Sequence, residues 1–199
     1  KIINKKNKDK LKIVGILDDD TKLHGKKLLN IPILDKIKNL KKFKKEKFFL
    51  SMFHYKNRFK RAEIINSCRD IINRFITIIH PDAIIGSEVK IGRGSFISNN
   101  CTIYSYSKIG NFCTISSNSS LATNSEIKKN CYIGYGSVIT YNSIIQKNTY
   151  LGIRSVILEN TEVSEGSRIL PNTLVHKNFR KKNCIIFGQP AKLIGFDKK

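Results

Sequence analysis

From Ile79 to Val175 every sixth residue is Ile, Leu or Val without a miss: Ile79, Ile85, Ile91, Ile97, Ile103, Ile109, Ile115, Leu121 and so on to Ile169 and Val175. Four places after each stands a second column that is almost always small, among them Ser95, Cys101, Ser107, Cys113, Ser119, Ser125, Cys131, Ser137 and Ser143. A helix repeats about every 3.6 residues and a strand every two, so neither sustains a six-residue column. A coil of three short strands, about 18 residues round, turns each sixth residue inward. The pattern predicts a hexapeptide-repeat, left-handed parallel β-helix of about five coils.

The corners of such a coil agree. A triangular coil turns sharply every six residues, and the left-handed backbone of a tight turn favours Gly and Asn. Gly94, Asn100, Asn118, Asn124, Asn130, Gly136, Asn142, Asn148, Asn160, Gly166 and Asn172 all stand three places after an aliphatic. The open ends of a β-helix expose unpaired strand edges. Ile79 and the stretch after Val175 are expected to cover them. Cys101, Cys113 and Cys131 lie in the small column and read as core thiols rather than zinc ligands, which need close spacing such as C-x2-C. Neither Cys68 nor Cys184 supplies a partner.

The chain carries 37 basic and 15 acidic residues, a formal charge of +22. Lys, Ile and Asn are abundant throughout, and no basic helix carries interleaved stacking aromatics, so the charge reads as compositional bias and not as a nucleic-acid surface. It favours phosphate-bearing small molecules. No run approaches the roughly 20 apolar residues of a membrane span, and no signal-peptide pattern opens the sequence. A cytoplasmic protein without membrane insertion is expected.

Before the repeats, residues 11–17 and 31–34 read as strands, 47–53 as a third, 58–72 as an amphipathic helix and 75–79 as a strand leading into His80-Pro81. Alternating strand and helix predict a small α/β, Rossmann-like domain over residues 1–78, before the β-helix over 79–199. Asp18 and Asp19 sit at the carboxyl end of the first strand, where such sheets bind ligands, although from spacing alone a charged turn is the better explanation.

In this order, Val14-Gly15-Ile16-Leu17-Asp18-Asp19, Leu23-His24-Gly25-Lys26, Ile31-Pro32-Ile33-Leu34, Ile79-His80-Pro81-Asp82-Ala83, the hexapeptide array and Gly188-Gln189-Pro190-Ala191-Lys192 resemble the bacterial sugar O- and N-acyltransferases of the sialic-acid O-acetyltransferase and bacillosamine N-acetyltransferase type. The resemblance covers nearly the whole chain. It implies a homotrimer, acetyl-CoA as co-substrate in clefts between neighbouring β-helices, no metal, and a sugar or nucleotide sugar as acceptor, with Asp18 and Asp19 near the substrate. The glycine-rich loop after the first strand in that family is missing here. Residues 1–10 resemble the segment just past that loop, so the first domain is either incomplete or without ordinary nucleotide recognition.

Acyl transfer from a thioester needs a nucleophile near the carbonyl, a way to remove its proton, and donors for the developing oxyanion. Through the resemblance, the family's general base falls on Thr123, whose hydroxyl cannot take a proton near neutral pH. Asn124 stands next to it, and Ser116 occupies a nearby polar position. The resemblance places Tyr132, Tyr141, Gly152, Ile153, Pro171, Gly188, Pro190 and Lys192 along the cofactor. Pro171 replaces a glycine and has no N–H to offer. His24, His54, His80 and His176 each have an ordinary structural explanation. The repeat holds only His80 and His176, too few for a three-histidine metal centre. The sequence therefore supports an acyl-CoA-dependent sugar acyltransferase of glycan biosynthesis, and leaves open a trimeric relative that binds ligand or partners without turnover.

Overall fold

The computed structural model describes residues 11–52 and 55–197. His54, segment 1–10 and the last residue of the strand expected at 47–53 lie outside the described residues. Contacts divide the chain into two compact units, Lys1–Lys47 and Phe48–Lys199.

The first unit holds a three-stranded sheet in which β1 (Ile16–Leu17) and β2 (Lys27–Leu28) flank β3 (Ile31–Asp35). β1 runs parallel to β3 and β2 antiparallel. Of the strand expected over 11–17, Ile16–Leu17 form the segment that pairs with β3, and Leu11, Ile13 and Val14 are exposed. The helical turns of this unit, Thr21–Leu23 and Ile37–Lys42, are 3-10.

The second unit is the left-handed parallel β-helix. Two-residue strands recur every six residues and stack in three parallel sheets. The first face carries strands 78–79, 96–97, 114–115, 132–133, 150–151 and 168–169, the second 84–85 through 174–175, and the third 90–91 through 162–163. Each strand pairs with the residues one coil on, as Thr114 with Tyr132 and Ile115 with Ile133. Three edges join the faces, here called 1–2, 2–3 and 3–1.

The aliphatic column points inward. From Ile97 to Val175 its members are 0–3% exposed, and burying such a side chain contributes roughly 1.5–3 kcal/mol. The small column is polar for a reason of its own. Its hydroxyls and thiols donate to carbonyls fifteen residues on: Ser95 to Gly110 O (2.8 Å), Ser119 to Gly134 O (2.9 Å), Ser137 to Gly152 O (3.0 Å) and Cys131 to Gln146 O (3.1 Å). Buried polar groups are thereby paired and the coils stitched together.

All corners from Glu88 to Asn172 have a left-handed third residue. Four are neither Gly nor Asn: Glu88, Tyr106, Phe112 and Arg154. Burial offsets the strained conformation of Phe112. It is 1% exposed and meets Phe75 edge-on at 5.0 Å. Gly94, one coil below, makes room, since a Cβ there would lie 2.6 Å from the Phe112 ring.

The expected helix over 58–72 is α-helical only at Arg58–Ser67 and continues as 3-10 at Arg69–Arg74. Asn66, Ser67 and Cys68 are weak helix formers, which favours the tightening. This helix, α1, packs on the coil through two arginines. Arg58 donates to Asp197 Oδ2 (2.5 Å), whose carboxylate also takes a bidentate pair from Arg168 (2.9 and 2.9 Å). Arg61 donates to Phe112 O (2.7 Å) and Asn130 Oδ1. Burial pushes the Arg61 guanidinium down to about 10, against the pull of the Cys113 and Cys131 thiols. At the far end of the coil a hairpin, Cys184–Gly188 with Ala191–Phe196, extends the first face and seals it, leaving Ile186 and Ala191 buried. The stretch after Val175 thus covers its end, whereas Ile79 is itself 36% exposed.

Candidate functional site

Edge 1–2 gathers one group of the expected residues. Ser116 is 4% exposed. Its column continues upward as Gly134 and Gly152, where a Cβ on Gly152 would come 2.6 Å from the Pro171 nitrogen. Ile153 and Pro171 stand outside them, both exposed. Gln189 Nε2 donates to Asn172 O (2.7 Å), which fastens the Gly188-Gln189-Pro190 turn to this same edge. Lys192 lies on the exposed outer strand, opposite Phe187. Tyr132 faces outward from the adjoining first face, its ring stacked on Tyr150 at 4.9 Å and 5°.

The backbone of this edge has a donor pattern. The first and third corner residues commit their N–H groups to the coil ladder, as Gly152 N to Ile169 O (2.9 Å) and Arg154 N to Tyr135 O (2.8 Å). The second-position N–H groups of Ser117, Tyr135 and Ile153 take no partner among the described residues. They form a vertical row of free donors that ends at Pro171.

Thr123, Asn124 and Tyr141 lie on a different edge, 2–3. Thr123 is exposed, its carbonyl accepting from Asn142 N (3.3 Å). Asn124 is a left-handed corner residue (φ 60°) whose amide donates to Asn142 Oδ1 (2.9 Å), part of a ladder that continues to Asn160. Tyr141 stands one coil above Thr123 and is 49% exposed. Within a single chain the second face separates this group from the Ser116, Gly152 and Pro171 group. In the first unit, Asp18 Oδ1 accepts from Asp20 N (2.9 Å) and Asp19 Oδ1 from Ile37 N (3.0 Å), so each carboxylate orders a turn.

Among the histidines, His24 Nε2 donates to Asp18 O (2.8 Å), His80 Nδ1 accepts from Asp82 N (3.1 Å), and His176 is exposed past the last coil strand. All five cysteines are free and buried. Burial raises the thiols of Cys101, Cys131 and Cys184. Among the described residues no cluster of three His, Cys, Asp or Glu side chains could hold a metal, and no helix is long and apolar enough to cross a membrane. The sequence does not single out Tyr135, Tyr150 or a hydroxyl and amide group on edge 1–2, Ser98, Asn99 and Ser117. Their positions in the six-residue register were the available signal.

Comparison with known proteins agrees with this architecture. A mutant of perosamine N-acetyltransferase from Caulobacter crescentus, solved with CoA and GDP-perosamine, is similar over 91% of this chain and 84% of its own, with TM-score 0.80 and 18% identity. The acetyltransferase domain of PglB from Neisseria gonorrhoeae FA1090, in complex with acetyl coenzyme A, is similar over 90% and 85% (TM-score 0.79, 19% identity). WeeI from Acinetobacter baumannii AYE is similar over 90% and 85% (TM-score 0.75, 21% identity). At these identities the likeness is one of fold. No curated protein matches the chain. The model of the GMPPB C-terminal domain matches residues 72–185, more than half of the sequence, and the chain belongs to that family.

Proposed function

We propose that this protein is an acyl-CoA-dependent acyltransferase that moves an acetyl group onto an amino or hydroxyl group of a sugar or nucleotide sugar, in cell-surface glycan synthesis. The observation that carries the reading is edge 1–2. A glycine-floored column flanked by Ile153 and Pro171, with free N–H groups at Tyr135 and Ile153 and a hairpin turn fixed at its upper end, suits an extended amide-bearing arm. The fold likeness to proteins solved with CoA or acetyl-CoA supports the same ligand.

A site that includes Thr123 and Tyr141 needs edge 2–3 of one copy set against edge 1–2 of another, and a homotrimer of three-sided coils is a closed ring that repeats this contact. Free cysteines are at home in the reducing cytoplasm. In the reaction a nucleophile on the acceptor attacks the thioester carbonyl, and an N–C or O–C bond forms. The C–S bond then breaks, the acceptor loses its proton and CoA leaves as the thiol. Thr123 takes up no proton near neutral pH, so an amine that arrives neutral is the better acceptor, with positioning and oxyanion donors lowering the barrier. The rate with such an acceptor rises with pH until the amine is fully deprotonated.

Thiol release from acetyl-CoA with a panel of amino- and hydroxy-sugar nucleotides, GDP-perosamine among them, tests the reading. Turnover is expected, and none across the panel would sink it. Thr123 also favours a second reading, a ligand-binding relative without turnover. That reading predicts tight acyl-CoA binding by the parent, and release of thiol only after Thr123→His.

A further inference from the structure

We propose that Ser98, Asn99 and Ser117, with the ring of Tyr135 above them, form the hydroxyl-reading subsite for the sugar acceptor. The inference rests on the acyltransferase reading and adds to it where the acceptor lies and which groups of it are recognised. All four residues belong to edge 1–2. Ser98 stands one coil below Ser116, and Tyr135 one coil above Ser117.

The edge changes character along its length. Its upper half, where the acyl-CoA arm is proposed, is Gly134, Gly152, Ile153 and Pro171. Its lower half, above the His80-Pro81-Asp82 corner, carries hydroxyls and a carboxamide at Ser98, Asn99, Ser116 and Ser117. Ser117 Oγ donates to Asn99 Oδ1 (2.7 Å), Ser98 and Ser117 hydroxyls lie 2.8 Å apart, and Ser98 Oγ is 3.2 Å from Asn99 Oδ1. Three contacts share only two hydroxyl protons. With the two shorter contacts made, Ser117 donates to the amide oxygen and Ser98 donates to Ser117.

The outcome is a fixed polarity. Both protons are turned inward, so the oxygen of Ser98 keeps two lone pairs and that of Ser117 keeps one. The Asn99 Nδ2 group makes no hydrogen bond among the described residues and supplies two donors beside them. Acceptors and donors side by side match neighbouring hydroxyls of a sugar, each of which both donates and accepts. Tyr135 is 56% exposed and offers an apolar ring face for the carbon side of the same sugar. Phosphate would find no cation among these four residues, which assigns them to a hydroxyl-bearing ring and not to the phosphates of the nucleotide sugar. At about 4.8 Å per coil, a sugar held here lies within one coil of Ser116.

The test uses steady-state kinetics with whichever nucleotide sugar the parent turns over fastest. Ser117→Ala, Asn99→Ala and their combination are expected to raise the acceptor KM about three- to tenfold per lost interaction, while the acetyl-CoA KM stays within twofold. Tyr135→Ala is expected to raise the acceptor KM as well, and Tyr135→Phe to leave it near the parent value. Removing one acceptor hydroxyl should cost the parent more than it costs the double variant. An active parent whose variants keep the acceptor KM would overturn the subsite alone. A parent inert with the whole panel would bring down the acyltransferase reading, and the subsite with it.

Discussion

The two ends of the coil carry the same residues in the same register and treat them differently. Ile79 and Ile85 are each 36% exposed, whereas Ile157, Val163, Ile169 and Val175 are fully buried beneath the hairpin and Phe179. Register decides which way a side chain faces. The layers above and below decide whether facing inward means leaving water. A coil gains its hydrophobic stability from neighbours, rung by rung, and its first rungs gain least.

That contrast can be broken. Ile133→Asp puts a carboxyl into the sealed column and is expected to cost about 4 kcal/mol or more, or to leave the coil unfolded at ordinary temperature. Burial raises the folded-state pKa of the new carboxyl, so the loss is fully present above that value and shrinks as pH falls towards the unfolded value near 4. Urea unfolding at pH 7 and pH 4 measures both effects. Ile85→Asp, on the open end, is expected to cost about 1 kcal/mol. Equal losses at the two positions would end the comparison.

Smaller changes sharpen it. Ser119→Ala removes a hydroxyl that donates to Gly134 O between two buried coils, and about 1 kcal/mol of stability should go with it. Tyr106→Asn acts in the other direction. Tyr106 is 60% exposed at a left-handed corner (φ 63°), so no burial offsets its conformation, and asparagine there should raise the unfolding free energy by up to about 1 kcal/mol. A lower melting temperature for Tyr106→Asn would mean the ring makes a contact worth more than the backbone relief.

The coil was legible because its constraint is local and repeated. Any six residues between Ile97 and Val175 announce an inward aliphatic, a corner and a small donor, and the spacing alone assigns each to a face. Corners such as Phe112 and Tyr106 escaped the Gly and Asn rule because sterics there are a preference that burial or mere tolerance overrides. The sequence reads 58–72 as an amphipathic helix without marking Arg58 and Arg61 as buried, and both are, because the partners that satisfy them, Asp197, Gly166, Phe112 and Asn130, stand 50 or more residues away in sequence. The candidate site shows the same division. That Gly152, Ile153 and Pro171 share an edge comes from counting in eighteens. That Gln189 fastens the terminal turn to that edge, or that Ser98, Asn99 and Ser117 share two protons, depends on side-chain geometry across coils, which no spacing encodes.

Each strand pairs with residues eighteen places on, as Leu121 with Ile139, and such a chain can change length only in whole turns. Losing a single residue from a corner would rotate every later aliphatic off its face and turn the core outward. Excising a full turn would keep every face in phase while bringing the two ends of the groove closer by one strand spacing. Length in this molecule is therefore quantised, and the distance between whatever binds at the bottom and at the top of the edge is a ruler graduated in steps of about 4.8 Å.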